Sequence, residues 1–248
     1  MGGQLFDNTS PIRLEHVMPT LASFQSDVLS SCDIDAHVPV GSTGRKSVSG
    51  DLDVAVRMPP SMNRKLLAAR MESLPSIGIN NVRTCGQIVS ISFPVVDTQI
   101  RVQVDVMFTD SDTLDGIAWL MAGAGDDEVH GVYRNLLLSL AARWEGEQRG
   151  FKMSLSVPGG LQDPVSGART ENPQRILDIL GIAATPEEAS SFEGLLRSMV
   201  SCGWRKRLLD RNRGFEQYVS SRLADPRTKV QAAQAIDVFR HISGITSE

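Results

Sequence analysis

Cysteine is scarce in this 248-residue chain. The three present, Cys32, Cys85 and Cys202, are odd in number and widely separated, so neither a disulfide framework nor a cysteine-rich zinc site is expected, and a reducing, cytoplasmic setting fits best. The four histidines, His16, His37, His130 and His241, show no metal-ligand spacing. Any metal should therefore be a hard cation held by carboxylates. Long apolar runs are missing too, and nothing approaches the ~20 residues that cross a bilayer. The start, Met1-Gly2-Gly3-Gln4, lacks the basic and apolar stretches of a secretory signal, and the residues after Gly2 match a myristoylation signal poorly. There is no internal repeat and no low-complexity tract. A net charge of −4 speaks against a generic duplex-DNA binder that lives on phosphate contacts.

The composition that remains is ordinary for a globular protein, 41% apolar and 22% charged, with enough chain to bury a proper core. Charge is unevenly spread. Arg205, Lys206, Arg207, Arg211, Arg213, Arg222, Arg227 and Lys229 crowd one stretch against Asp210, Glu216 and Asp225, which keeps a nucleic-acid partner in view. Helical spacing over 12–31 predicts a helix that Pro19 kinks or splits. Strands are expected at 35–40 and 52–57, the second stopped by Pro59-Pro60, then a helix at 61–74 and strands at 82–85, 87–93 and 100–108. Helices are expected next at 114–122 and 128–145. After an extended piece at 151–157 and a loop over 158–172, the pattern is helical: 173–180, 186–200, 204–209, 215–223 and 228–242. The expected fold is α+β, a small mixed β-sheet with flanking helices over residues 1–148 and a mainly helical domain over 149–248.

One segment carries chemistry. Val40-Gly41-Ser42 stands where a strand ends and a turn begins; glycine lets backbone amides approach an anion, and serine adds a hydroxyl donor. Nine residues after Ser42 comes Asp51-Leu52-Asp53-Val54. On a strand, residues two apart share a face, so the two carboxylates project side by side. Their mutual repulsion is relieved by a divalent cation, and magnesium prefers such oxygens shared with substrate phosphates. A third acid, Asp105, sits alone in the apolar strand Val102-Gln103-Val104-Asp105-Val106. Beside 52–57 it completes a triad able to hold two metals for in-line displacement at phosphorus.

These residues resemble a family. Val40-Gly41-Ser42, Ser49-Gly50-Asp51-Leu52-Asp53-Val54 and Arg101-Val102-Gln103-Val104-Asp105-Val106 look like the active-site pattern of the DNA polymerase beta nucleotidyltransferase superfamily, over about 35–108. Its members include family X polymerases, poly(A) and CCA-adding enzymes, antibiotic nucleotidyltransferases and small toxins. The resemblance implies a palm-like domain that uses Mg2+ or Mn2+ to move a nucleoside monophosphate from an NTP such as ATP to an acceptor hydroxyl. It implies that Gly41 and Ser42 hold the triphosphate with Arg45 and Lys46 nearby. Asp51 and Asp53 would bind the metals, and Asp105 would bind one metal and deprotonate the acceptor. The loop from Ser42 to Asp51 is shorter than is common there.

The same residues admit competing readings. Gly41-Ser42-Thr43-Gly44-Arg45-Lys46-Ser47 fails as a P-loop, because Arg45 stands where glycine must precede the lysine and Val40 replaces the first glycine, and it fails as a dinucleotide fingerprint because the third glycine is misplaced and no long helical pattern follows. His130, Tyr133 and Arg134 share a helical face and either line a nucleotide pocket or simply pack. The stretch Arg205–Lys229 either grips an RNA or DNA acceptor or is a solvated basic face. With few residues ahead of Gly41, a templated repair polymerase is less expected than transfer to a nucleic-acid 3′ end, a tRNA, a protein or a small molecule. The contrasting class is a catalytically silent subunit that keeps the fold for a structural role.

Overall fold

Alternation of polar and apolar side chains makes 51–57 the strand around which the first part of the chain is built. In the computed structural model, which describes residues 5–59, 62–85, 88–109, 114–122, 129, 131–156, 159–162, 166–210, 214–226 and 228–244, the chain divides into two compact units, Met1–Ala118 and Trp119–Glu248. The sequence pattern alone places the boundary at 148.

The first unit opens with β1 (Ile12–Arg13) and α1 (Leu14–Phe24). Next come β2 (His37–Val40), β3 (Val48–Ser49), β4 (Asp51–Arg57) and α2 (Arg64–Glu72), then β5 (Val82–Cys85), β6 (Ile88–Pro94) and β7 (Arg101–Thr109). Five strands form one mixed sheet in the order β2-β4-β7-β6-β5. β4 and β7 run parallel, and the other neighbours are antiparallel. A parallel pair needs a long crossover, which α2 and the β5-β6 hairpin supply. One face is apolar: Leu52, Val54 and Val56 of β4 and Val102, Val104 and Val106 of β7 are fully buried in a core shared with Val17, Leu21 and Phe24 of α1 and Leu67 and Met71 of α2. Phe24 meets Phe93 edge-on, with ring centroids 5.1 Å apart. Full burial of each such side chain contributes about 1.5–3 kcal/mol, so register is strongly specified. A one-residue slip would turn this whole set away from the helices and the aspartates into them.

Two details fix the loop after β2. β3 pairs with β1, and Leu14 N donates to Ser47 O at 2.9 Å, so the far end of the loop is tied to the start of α1. α1 itself runs through Pro19 without a break. The departure from α geometry comes later, in a π turn over Gln25–Leu29 and a 3-10 turn over Ser30–Cys32 that ends at Asp33 in the left-handed region.

After α3 (Leu114–Leu120), the second unit is mainly helical, as expected: α4 (Gly131–Arg149), α5 (Pro173–Ile179), α6 (Phe192–Ser201), α7 (Arg205–Leu208), α8 (Phe215–Leu223) and α9 (Lys229–Ser243). It has its own core, including Leu137, Trp144, Leu195, Phe215 and Phe239. β8 (Ser154–Ser156) lies in the piece expected as extended, and it forms a three-stranded sheet with β9 (Gly160–Gln162) and β10 (Arg169–Thr170), which lie in the stretch expected as loop. Strands of two or three residues are too short for alternation to register. The helix expected at 186–200 is two pieces. Thr185 and Glu188 form a reciprocal capping box (Thr185 N to Glu188 Oε2 2.8 Å, Glu188 N to Thr185 Oγ1 3.2 Å) that starts a 3-10 turn, and Ser191, extended, then recaps α6 through Gly194 N at 3.1 Å. Among the described residues, no helix is long and apolar enough to cross a membrane.

Candidate active site

The face of the sheet opposite the helices carries the acids. Parallel pairing sets Asp53 of β4 opposite Asp105 of β7, and Asp51 opposite Gln103. Asp51, Asp53 and Asp105 each offer a carboxylate oxygen, and these atoms lie within 4.8 Å of one another. Strand pairing thus gathers acids from two distant segments into one cluster. All three are half-buried.

Proximity and burial load the cluster with electrostatic cost. Burial first, then the neighbouring charges of Asp51 and Asp105, push Asp53 up to about 7. Asp51 is also raised, by burial and by Asp105, while its own backbone and the Lys46 ammonium pull it the other way. Three carboxylates this close do not all ionise at neutral pH without a counter-charge. A proton on Asp53 is one solution; a divalent cation is the other, and an all-oxygen donor set suits a hard cation rather than a thiolate-seeking metal.

The Gly-Ser turn lies against this cluster. β2 pairs antiparallel with β4 so that Val40 faces Asp53, and the chain turns at Gly41 beside that side chain. Gly41 has φ +61°, and a Cβ there would sit 2.3 Å from Asp53 Oδ2. Glycine is therefore required twice, for the left-handed backbone and for the close approach. Ser42 follows, Thr43 N donates to Val40 O at 3.2 Å, and Arg45 N to Ser42 O at 3.0 Å. Lys46 lies at the loop's end within electrostatic reach of Asp51; Arg45 is exposed.

Two residues of the site escaped the sequence reading. Thr43 is buried at 5% exposure, and its Oγ1 accepts from Asp53 N at 2.7 Å, which pins the turn to the acid-bearing strand. No local signal marks it. Thr43→Val leaves that amide without an acceptor, a loss of about 1–3 kcal/mol. Thermal denaturation should show the corresponding fall in melting temperature, and Thr43→Ser should recover most of it. Gln103 donates from Nε2 to both oxygens of Asp105, at 2.9 and 3.1 Å. Its position two residues before Asp105 places it on the same strand face, so period-two alternation does reveal it.

Other expected participants have different surroundings. Arg134 is completely buried; its guanidinium lies 4.1 Å from the Trp119 ring centroid and donates to Ala189 O at 2.7 Å and Trp119 O at 3.1 Å. It serves the core of the second unit. Tyr133 is buried beside it in sequence, with Arg222 5.7 Å over its ring. Arg205 Nε donates to Ser243 O at 2.9 Å at the C-terminus of α9, and Arg207 stacks 5.1 Å over Trp204. Lys206 and Lys229 are exposed. His130, Arg211, Arg213 and Arg227 lie outside the described residues.

No protein-family model and no curated protein matches the chain. Among solved structures it is similar to Leishmania infantum polymerase beta in a ternary P/T complex, with 16% identity over 73% of this chain and 77% of that one and a TM-score of 0.49. The site stands on its own geometry.

Proposed function

We propose that the chain is a metal-dependent nucleotidyltransferase, moving a nucleoside monophosphate from ATP or another NTP to an acceptor hydroxyl with release of pyrophosphate. The observation that supports this most is the meeting of Asp51, Asp53 and Asp105 within 4.8 Å beside a turn whose Gly41 lies against Asp53. Those three carboxylates would hold Mg2+ or Mn2+, which when bound neutralises phosphate charge and stabilises the displacement at phosphorus. Gly41 and Ser42 present backbone and hydroxyl donors to the triphosphate, and Arg45 and Lys46 add positive charge near its tail. Asp105 takes the proton from the acceptor hydroxyl as that oxygen bonds to the α-phosphorus. The bond from the α-phosphorus to its bridging oxygen breaks, and the electron pair leaves with pyrophosphate. The protein's contribution is positioning and preorganised charge. The basic stretch Arg205–Lys229 is the part of the chain we assign to an RNA or DNA acceptor.

Incubation with each α-labelled NTP, Mg2+ or Mn2+ and a panel of RNA, DNA, tRNA and protein acceptors tests the reading. Label should reach an acceptor with the unsubstituted chain and fall at least about 100-fold in the Asp51→Asn/Asp53→Asn variant, as the loss of preorganised charge at the reacting centre demands. Label that persists in the variant overturns the assignment. Failure of the unsubstituted chain to label any acceptor and to bind Mn2+ favours a silent structural subunit.

A further inference from the structure

The face that carries the triad is covered on one side by the N-terminal segment, 5–10. Ser10 N donates to Arg101 O of β7 at 2.8 Å. Asn8 Oδ1 accepts from Ser92 Oγ of β6 at 3.0 Å, and Asn8 Nδ2 donates to Asn81 Oδ1 at 3.2 Å. Phe6 is buried beneath the Arg83 guanidinium of β5, 5.9 Å from its ring centroid. Ser92 and Gln103 are cross-strand partners, so the segment lies over β5, β6 and β7 on the side of the sheet where the acids project.

Gln103 joins this segment to the triad. It is only 5% exposed, and its carboxamide is used at both ends: Oε1 accepts from Leu5 N at 3.0 Å, and Nε2 donates to both Asp105 oxygens. The orientation of the amide is thereby determined. Turned over, its oxygen would face a carboxylate and its NH2 would face a backbone N–H, two repulsions in place of three hydrogen bonds. A neutral amide that holds a carboxylate by hydrogen bonds restricts its rotation without cancelling its charge. Each carboxylate oxygen keeps a second lone pair for a cation.

We propose that Gln103 is a positioning residue for Asp105 and that the N-terminal segment is part of the site, because its Leu5 N–H holds the Gln103 amide in the orientation that fixes the carboxylate. The inference rests on the reading of the triad as a divalent-metal site. Outer-shell partners of metal ligands are worth about 10–100-fold in affinity. Gln103→Met keeps the volume and removes both ends of the link. Leu5→Pro removes the N–H while leaving Gln103 intact; it also fixes φ and shortens the side chain of a residue that is about half exposed, at 45%.

The experiment is calorimetric titration of the metal-free 248-residue chain with Mn2+, alongside its thermal melt. Gln103→Met should bind Mn2+ about 10–100-fold more weakly. Leu5→Pro should lose affinity in the same direction, by about 2- to 10-fold for one hydrogen bond. The double variant should bind no more weakly than Gln103→Met, since both changes break one chain of contacts. Equal binding by Gln103→Met and the unsubstituted chain overturns this inference and leaves the metal site standing. So does a double variant in which the two losses multiply. If Gln103→Met fails to melt cooperatively, Leu5→Pro decides: unchanged affinity there overturns the link. No Mn2+ binding by the unsubstituted chain overturns the metal reading itself.

Discussion

Gly41→Ala is expected to weaken divalent-metal binding, and with it the proposed nucleotide transfer, by about 100-fold while the fold survives. The added Cβ would stand 2.3 Å from Asp53 Oδ2 and 3.2 Å from its Cγ, well inside contact distance, at a backbone φ of +61°. The left-handed backbone costs a non-glycine residue about 1–2 kcal/mol. The larger effect is geometric. To clear the methyl group the Asp53 carboxylate must move by about 1 Å, and a displacement of that size at a reacting centre can cost on the order of 100-fold in rate. Gly44→Ala makes the contrast. Its φ is +73°, but nothing lies within 4 Å of the added Cβ, so it meets the backbone cost alone. Mn2+ titration and NTP labelling of the two variants should separate them by about 100-fold or more. Similar losses in both would show that the turn's backbone, rather than its approach to Asp53, is what matters.

The metal-free protein should become less stable as pH rises, and Asp53→Asn should remove much of that loss. Asp53 in the folded chain stays protonated up to about 7, against an ordinary carboxyl near 3.8. Between those values the folded state holds a proton that the unfolded state has released, so ΔG of unfolding falls as pH increases. The stabilising proton is present at pH 4 and gone above 7, at a cost on the order of a few kcal/mol. Raised Asp51 acts in the same direction. His37 opposes it: burial holds its pKa down, so its contribution is lost as pH falls. The comparison of unsubstituted and Asp53→Asn proteins isolates the aspartate. In EDTA, melting temperature should fall from pH 5 to pH 8 much more steeply in the unsubstituted protein. Asp53→Asn should be the more stable of the two at pH 8 and bind no Mn2+. Saturating Mn2+ should restore the unsubstituted protein at pH 8, because ligand binding to the folded state alone stabilises it. A variant that is less stable at pH 8, or a pH slope unchanged by the substitution, would overturn this account.

Both effects act through Asp53, and they show how far local sequence reaches. Alternation in Asp51–Arg57 and Arg101–Thr109 is visible without a structure, and so is the side-by-side display of Asp51 and Asp53. Capping is legible as well: Thr185 with Glu188 form their box. The basic residues near 205–229 were less legible. Composition counts charges, but whether an arginine is spent on a helix end, as Arg205 is on α9, depends on which carbonyls the fold brings to it.

The sequence by itself determined the kinds of the longer elements, the apolar face of the central strands and the candidate acids, because periods of 2 and 3.6 residues are local properties of the chain. Tertiary structure alone decided that β4 lies parallel to β7 with Asp53 opposite Asp105, that Gly41 packs against Asp53, and that Gln103 links Asp105 to Leu5, which lies 98 residues before Gln103 in the chain. Strand register and side-chain approach across such separations are chosen by the packing of the whole core. No local pattern records that choice.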